Sequence, residues 1–457
     1  MIPTSPERTG RSPRLFRLAA GAVVGVLVAA SAAMAVAALE RGPQVRAVTG
    51  DTALTVSQQG VTVTMRTDQP LDPSSVDGIR IEPDAPAQID VKGASVRVRF
   101  TETLAFATDY RIIVPRLEGQ ATGSTSATEV AFTTPALTVT TLERGGTFER
   151  TGGDDDRVVR HDLSNDTEQV LISAPRIQEY ADDGDDVVAL TIDAAGASSL
   201  VHARPGEEPR PIPTPGSGDV RLLRASSDAG HLGYVYTGPS ADGAESYLSA
   251  LFMLDTTGDG STPRVVVGLD GTPLQTAAWQ FVPGSAYLVA QTTQGSLVLV
   301  DSTGAAPPRV LGELGDLRSF LPGTTSVVVG SFSGLSILDL TTGSLREIDG
   351  TAGGAIGSGA LVVSADATVT WTPTEVTRST AGGGAATVTR AATDERIEEV
   401  CVSPSGRHLA VGVVPGGAQI DGYPARADWQ GRATDVVDVV SGETVARVVG
   451  TRPDWCA

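Results

Sequence analysis

The chain has 457 residues, with 54 acidic and 34 basic side chains, a net charge of −20, 52 Gly, 28 Pro, 4 His and 2 Cys. Its one lysine, Lys92, stands in DVKGAS rather than at the end of a Gly-rich phosphate loop, which argues against a P-loop enzyme and against a pyridoxal Schiff base at any other position. The acidic balance argues against a nucleic-acid binder, which needs a basic face, and the length suits about two to four folded units.

Residues 1–17 form a basic tail, with Arg8, Arg11, Arg14 and Arg17 against Glu7. Residues 18–39 then run 22 positions without a charge, enough to span a bilayer as a helix. The positive-inside rule puts the tail in the cytoplasm and everything beyond Glu40 outside. The expected element is a retained signal-anchor. Cleavage as a secretory signal at the small residues of 33–37, giving a secreted protein, is the alternative. No cysteine directly follows the apolar run, so a lipid anchor is not expected.

After a linker at 40–49, residues 50–135 alternate like strands in VTVTMRT (61–67), ASVRVRF (94–100) and YRIIVP (110–115). Turn clusters such as QPLDPSSVDG and PDAPAQ separate them, which predicts a β-sandwich. DQPLDPSSVDGIRIEP (68–83), TLAFATDYRIIVP (103–115) and AFTTP (131–135) resemble the bacterial Ig-like domains of envelope and surface-layer proteins. That resemblance implies a spacer or adhesion module without an inter-sheet disulfide.

From 136 to 457 the signal is repetition. A Gly turn followed by an apolar strand recurs at Gly184, Gly230, Gly284, Gly323 and Gly406, with weaker copies near Gly153 and Gly359. A second element, an apolar strand ending in Asp before another Gly turn, recurs at Asp193, Asp255, Asp301, Asp339 and Asp438. These Asp side chains are expected to satisfy turn amides. About four short strands per 40–50 residues is the requirement of a β-propeller blade. SPSGRHLAV and LDLTTG resemble the repeats of TolB-like and WD-type propellers, although the Trp-Asp dipeptide is missing and, among the recurring Gly turns, the Asp-Gly of TolB repeats survives only at Asp183–Gly184. About seven blades are expected, over 137–173, 174–216, 217–274, 275–315, 316–352, 353–394 and 395–457, with six or eight as alternatives. The fold class is therefore all-β: an Ig-like β-sandwich and a β-propeller, preceded by one transmembrane helix.

Cys401 begins the last SPSG strand and Cys456 is the penultimate residue. In an extracytoplasmic chain such a pair favours a disulfide, here one that ties the last blade closed. The alternative is two buried thiols.

Chemistry is sparse. His161, His202, His231 and His408 lie in different repeat units, and no HExxH, paired-Cys zinc pattern or Gly-x-Ser-x-Gly elbow occurs. The acidic clusters Asp182, Asp183, Asp185, Asp186 and Asp255, Asp259 offer carboxylate oxygens for calcium, though none fits an EF-hand loop. Solvated turns are the plainer reading, and no cofactor is expected. The long insertion at 414–435 carries Tyr423, Arg426, Asp428, Trp429 and Arg432, the residue types enriched at interfaces. It is the expected contact surface, against the plainer view that it packs on its own propeller.

The sequence thus points to a non-enzymatic, membrane-anchored envelope protein. Its propeller would present a face to an envelope protein or small ligand, with no nucleic-acid partner. An envelope hydrolase or lyase using the propeller channel, or a sensor subunit signalling through a partner, are the alternatives.

Overall fold

The computed structural model describes residues 41–456 except 151–152, 185, 227–229, 257–261, 332–333 and 349–358. The expected tail and anchor, 1–17 and 18–39, lie outside the described residues, among which no helix is long and apolar enough to cross a membrane. The chain divides into two compact units, one of 1–52, 60–101 and 109–133, the other of 53–59, 102–108 and 134–457.

Among its described residues the first unit has seven strands: β1 (Val45–Thr49), β2 (Thr62–Thr67), β3 (Arg80–Glu82), β4 (Ala87–Val91), β5 (Ser95–Phe100), β6 (Asp109–Glu118) and β7 (Thr125–Thr133). They form two antiparallel sheets, ordered β1-β2-β5-β4 and β3-β6-β7. The period-two pattern does the sorting, as Val63, Met65, Val96, Val98 and Phe100 of one sheet and Ile81, Tyr110, Ile112 and Val114 of the other are buried. The two sheets meet where Phe132 lies 6.1 Å from Phe100 and stacks on Tyr110 at 5.7 Å. Val45–Thr49, expected as linker, is an edge strand, fixed by its backbone register with β2 and by the Arg46–Asp68 ion pair at 3.0 Å.

The second unit is a ring of seven antiparallel sheets, one per expected blade, over 138–174, 177–212, 219–265, 276–312, 316–347, 359–390 and 395–449. A four-stranded blade has two apolar faces and can bury both only between neighbours. Accordingly the buried side chains fall into seven clusters, each shared by two successive blades. The seventh cluster, Val139, Val436 and Val448 with Trp455 and Leu163 packed against them, joins blade 7 to blade 1 and closes the ring.

Blade 1 shows how the closure works. It has three strands of its own, β8 (Thr138–Glu143), β9 (Asp156–Asp162) and β10 (Thr167–Ala174). Asp162 Oδ1 accepts the Ser164 and Asn165 amides. Asp301, Asp339 and Asp438 cap the turn between the third and fourth strands of their own blades in the same way. Hence β9 and β10 are third and fourth strands, β8 is the second, and the innermost place is left for the C-terminus. Leu142 and Thr451 exchange both backbone hydrogen bonds at 2.8 and 2.9 Å, and a short 3-10 turn, Asp454–Cys456, follows. Cys456 is disulfide-bonded to Cys401 on the innermost strand of blade 7, with Cα atoms 5.2 Å apart. The turn glycines behave as expected: Gly284 and Gly406 sit at φ +67° and +75°, where a side chain would be strained.

The expected boundary at 135 is crossed by the segments 53–59 and 102–108, which belong to the propeller unit. There Gln59 N–H donates to Gly323 O at 2.8 Å and Arg407 to Thr103 O at 2.5 Å.

Candidate functional site

The insertion lies between the second and third strands of blade 7, His408–Pro415 and Ala433–Asp438. It folds back as a hairpin of its own, with Asp421 N–H donating to Asp428 O and Gln430 N–H to Gln419 O, both at 2.9 Å. The tip winds around one carboxylate: Asp421 Oδ1 accepts the amides of Tyr423 and Asp428, and Oδ2 pairs with Arg144 from blade 1.

Tyr423, Asp428 and Arg432, expected as a contact surface, are buried at 2, 9 and 7 % exposure. The reason is pairing with buried polar groups, across the seam to blade 1 for Tyr423 and within blade 7 for Asp428 and Arg432. Tyr423 donates to Asp156, accepts from Arg150 at 3.1 Å, and packs its ring 3.7 Å beneath the Arg144 guanidinium. Burial and the Asp156 bond push its phenol up to about 12. Asp156, fully buried, also accepts from Arg150 at 2.7 Å, Ile177 N–H at 2.8 Å and Gly145 N–H at 3.0 Å. Asp428 accepts from Arg432 at 2.9 Å and from the Thr451 hydroxyl, while Arg432 reaches Glu399 at 2.6 Å. Burial works against the Asp428 carboxylate, but Arg432, Thr451 and the Trp429 amide together hold it below its ordinary range. Of the five expected surface residues, Arg426 is exposed and Trp429 half-buried, with the Arg396 guanidinium 4.2 Å over its ring.

The insertion thus fastens blade 7 to blade 1 and forms one wall of a cleft of about 730 Å3. Trp429, Gln430 and Gly431 line that wall, and Gly145, Asp154, Asp155 and Arg157 of blade 1 line the other. Asp154, Asp155 and Arg157 are exposed there, so the cleft offers solvent-facing charge of both signs beside one indole. Arg144 and Arg150 carry no signal in the sequence, since their partners Asp421 and Tyr423 lie 277 and 273 positions away.

His161 sits between a hydroxyl and a carboxylate, with Nε2 3.1 Å from Thr141 Oγ1 and Nδ1 3.2 Å from Glu168. That is the order of a hydrolytic triad, but Thr141 is fully buried and donates its proton to Val449 O at 2.8 Å. His161 must therefore donate to Thr141 and cannot act as its base, so this chain of residues is a tie across the seam.

The carboxylates named as calcium candidates have partners of their own. Asp182 is bound by Arg160 at 2.7 Å and Thr140 Oγ1 at 2.5 Å, and Asp186 by Arg204 at 2.7 Å and His202 at 2.9 Å. The Arg204 fork takes both oxygens of Asp186, and Arg160 and Thr140 take one oxygen each of Asp182. Asp183 accepts the Asp186 amide, Asp255 is an exposed strand end, and Asp185 and Asp259 lie outside the described residues. Among the described residues one group of three ligand-type side chains converges, Glu399, Cys401 and Cys456, and both of its sulfurs are spent in the disulfide.

No family model and no curated protein matches the chain. Among solved structures it is similar to a putative 6-phosphogluconolactonase from Bacteroides uniformis, at 14% identity and TM-score 0.41 over 69% of this chain and 98% of that one. The β-propeller domain of the Trilobed protease from Pyrococcus furiosus gives 8% and 0.40, over 75% and 93%. TolB from Acinetobacter baumannii gives 12% and 0.36, over 66% and 78%. Likeness at this level carries no argument about activity, and the ring stands on its own sheet order and shared cores.

Proposed function

We propose that the chain is an extracytoplasmic binding or scaffold protein of the cell envelope, held by the apolar segment 18–39, whose propeller presents the blade 7/blade 1 cleft to an envelope protein or small ligand. The carrying observation is the cleft itself: a long insertion is immobilised by buried ion pairs, leaving Trp429 and the charges of Asp154, Asp155 and Arg157 facing solvent. A rigid wall with one aromatic anchor and a polar rim suits recognition, because little side-chain freedom is lost on binding. The Cys401–Cys456 pair supports an oxidising compartment.

The first unit is read as an Ig-like spacer. With β1 to β7 lettered A to G, its sheets are ordered A-B-E-D and C-F-G, the constant-type Ig arrangement. The likeness in sequence and this strand order agree.

The test is crosslinking in intact cells followed by purification and mass spectrometry, comparing the wild-type chain with a W429A/D154A/D155A variant. These side chains are not part of the buried network, so the variant keeps its fold. A stoichiometric envelope partner lost in the variant supports the reading. A partner retained at full yield sinks the cleft as the contact face.

A further inference from the structure

One group of arginines at the centre of the ring lacks carboxylates to match. Arg452, from the C-terminal segment, donates to Gln178 O and Arg426 O, both at 2.8 Å, and has no carboxylate partner among the described residues. Arg224, on the innermost strand of blade 3, has Glu179 of blade 2 only at 3.9 Å. Arg426, on the insertion, has Glu399 only at 3.9 Å, and the other oxygen of Glu399 is bound by Arg432 at 2.6 Å. The Nε–H groups of Arg224 and Arg452 are buried without a hydrogen-bond partner. A buried donor left unpaired is costly; Arg144, Arg378 and Arg432 share an unpaired Nε–H, but Arg144 and Arg432 each hold a close carboxylate, which Arg224 and Arg452 lack.

The innermost strands of blades 2 and 3 each slip register, between Ile177 and Glu179 and between Arg221 and Arg224, as the first strands of blades 4 to 7 also do. Such bulges re-aim side chains. Leu222 and Arg452 both take left-handed conformations, with φ of +52° and +53°, that side chains other than Gly seldom adopt. Backbone strain of this kind is kept where the surroundings enforce it, often at a ligand site. The cations also repel one another: burial, then Arg426 and Arg144, bring Arg452 down to about 9, and burial with Arg426 lowers Arg224.

We infer that Arg224, Arg426 and Arg452 form an oxyanion site at the centre of the ring, for a small molecule bearing a phosphate or carboxylate group. Planar guanidinium forks match both groups, and an anion here would take up the unpaired Nε–H donors and relieve the repulsion at once. Arg426 is more than half exposed, whereas Arg224 and Arg452 are largely buried. This rests on the reading of the propeller as a binding module and names a ligand class for it.

The test is thermal unfolding of the purified full-length chain in inorganic phosphate, citrate or acetate, each against sodium chloride at equal ionic strength. A site filled to 100 times its Kd should raise Tm by about 4 °C in a unit of this size. The same rise should vanish in R224Q and in R426Q. Neither substitution disturbs an ion pair closer than 3.9 Å, so the unliganded Tm should be unchanged or higher. Response to phosphate alone, or to citrate and acetate alone, decides between the two groups. The inference is overturned if no anion exceeds chloride, or if the rise survives R224Q/R426Q. Neither result bears on the cleft, whose crosslinking variant leaves these arginines intact.

Discussion

Asp454 couples protonation to ring closure. It lies in the 3-10 turn that fills the innermost place of blade 1, and its Oδ1 accepts the Thr140 amide at 2.9 Å. Burial, and then the negative charge of Asp182, raise its pKa from 3.8 to about 7. A folded-state pKa above the unfolded value favours the fold fully below about pH 4, and that advantage is lost as pH rises to about 7. Three units correspond to about 4 kcal/mol as a ceiling. Solvent reaches part of the residue, so about 1–3 kcal/mol is the realistic cost at pH 8. Asp454→Asn keeps an acceptor for Thr140 and removes the charge. With an unfolding entropy of about 0.7 kcal/mol/K for roughly 320 residues, D454N should raise Tm by about 2–4 °C at pH 8 and leave it unchanged at pH 4. Differential scanning calorimetry of both proteins from pH 4 to 9 measures this. Parallel Tm curves for wild type and D454N over that range would refute the reasoning, since every other titrating group is common to both.

Two further changes probe the same seam. The Cys401–Cys456 bond closes a loop with a sequence separation of 55, so C401A/C456A should cost about 4 kcal/mol by loop entropy and lower Tm by about 6 °C. Alkylation and intact mass under non-reducing, denaturing conditions should find no free thiol, and two free thiols would disprove the bond. Arg432→Ala strands the buried Asp428 and should cost about 3–5 kcal/mol in urea unfolding. D428A/R432A should cost less than the two single changes together, and strict additivity would show that the pair does not interact.

The blades were legible because their determinants are local. An apolar alternation, a Gly turn and an Asp that caps the next hairpin each act within a dozen residues, and Asp193, Asp301, Asp339 and Asp438 all do what their position predicts. The first blade, with its weaker copy near Gly153, departs from the others for a physical reason: its innermost segment is supplied by 451–456, more than 300 residues away. TRPDWC carries no alternation, and only Cys456 hinted that the C-terminus returns to the ring.

The insertion was located correctly and its chemistry misassigned, and the two outcomes share one cause. Tyr, Asp and Arg concentrate where polar groups must be ordered in a desolvated setting, and both an interface and a buried ion-pair network are such settings. What distinguishes them is the partner. Asp421 finds Arg144, Tyr423 finds Arg150 and Asp156, and Asp428 finds Thr451, all brought together by ring closure rather than by sequence. Once those pairings are drawn, the charges left without a mate become visible. Trp429, Asp154 and Asp155 remain on the cleft, and Arg224, Arg426 and Arg452, with no carboxylate closer than 3.9 Å, at the centre of the ring, so the residues outside these pairings, rather than the densest motif, mark where this propeller has capacity to bind.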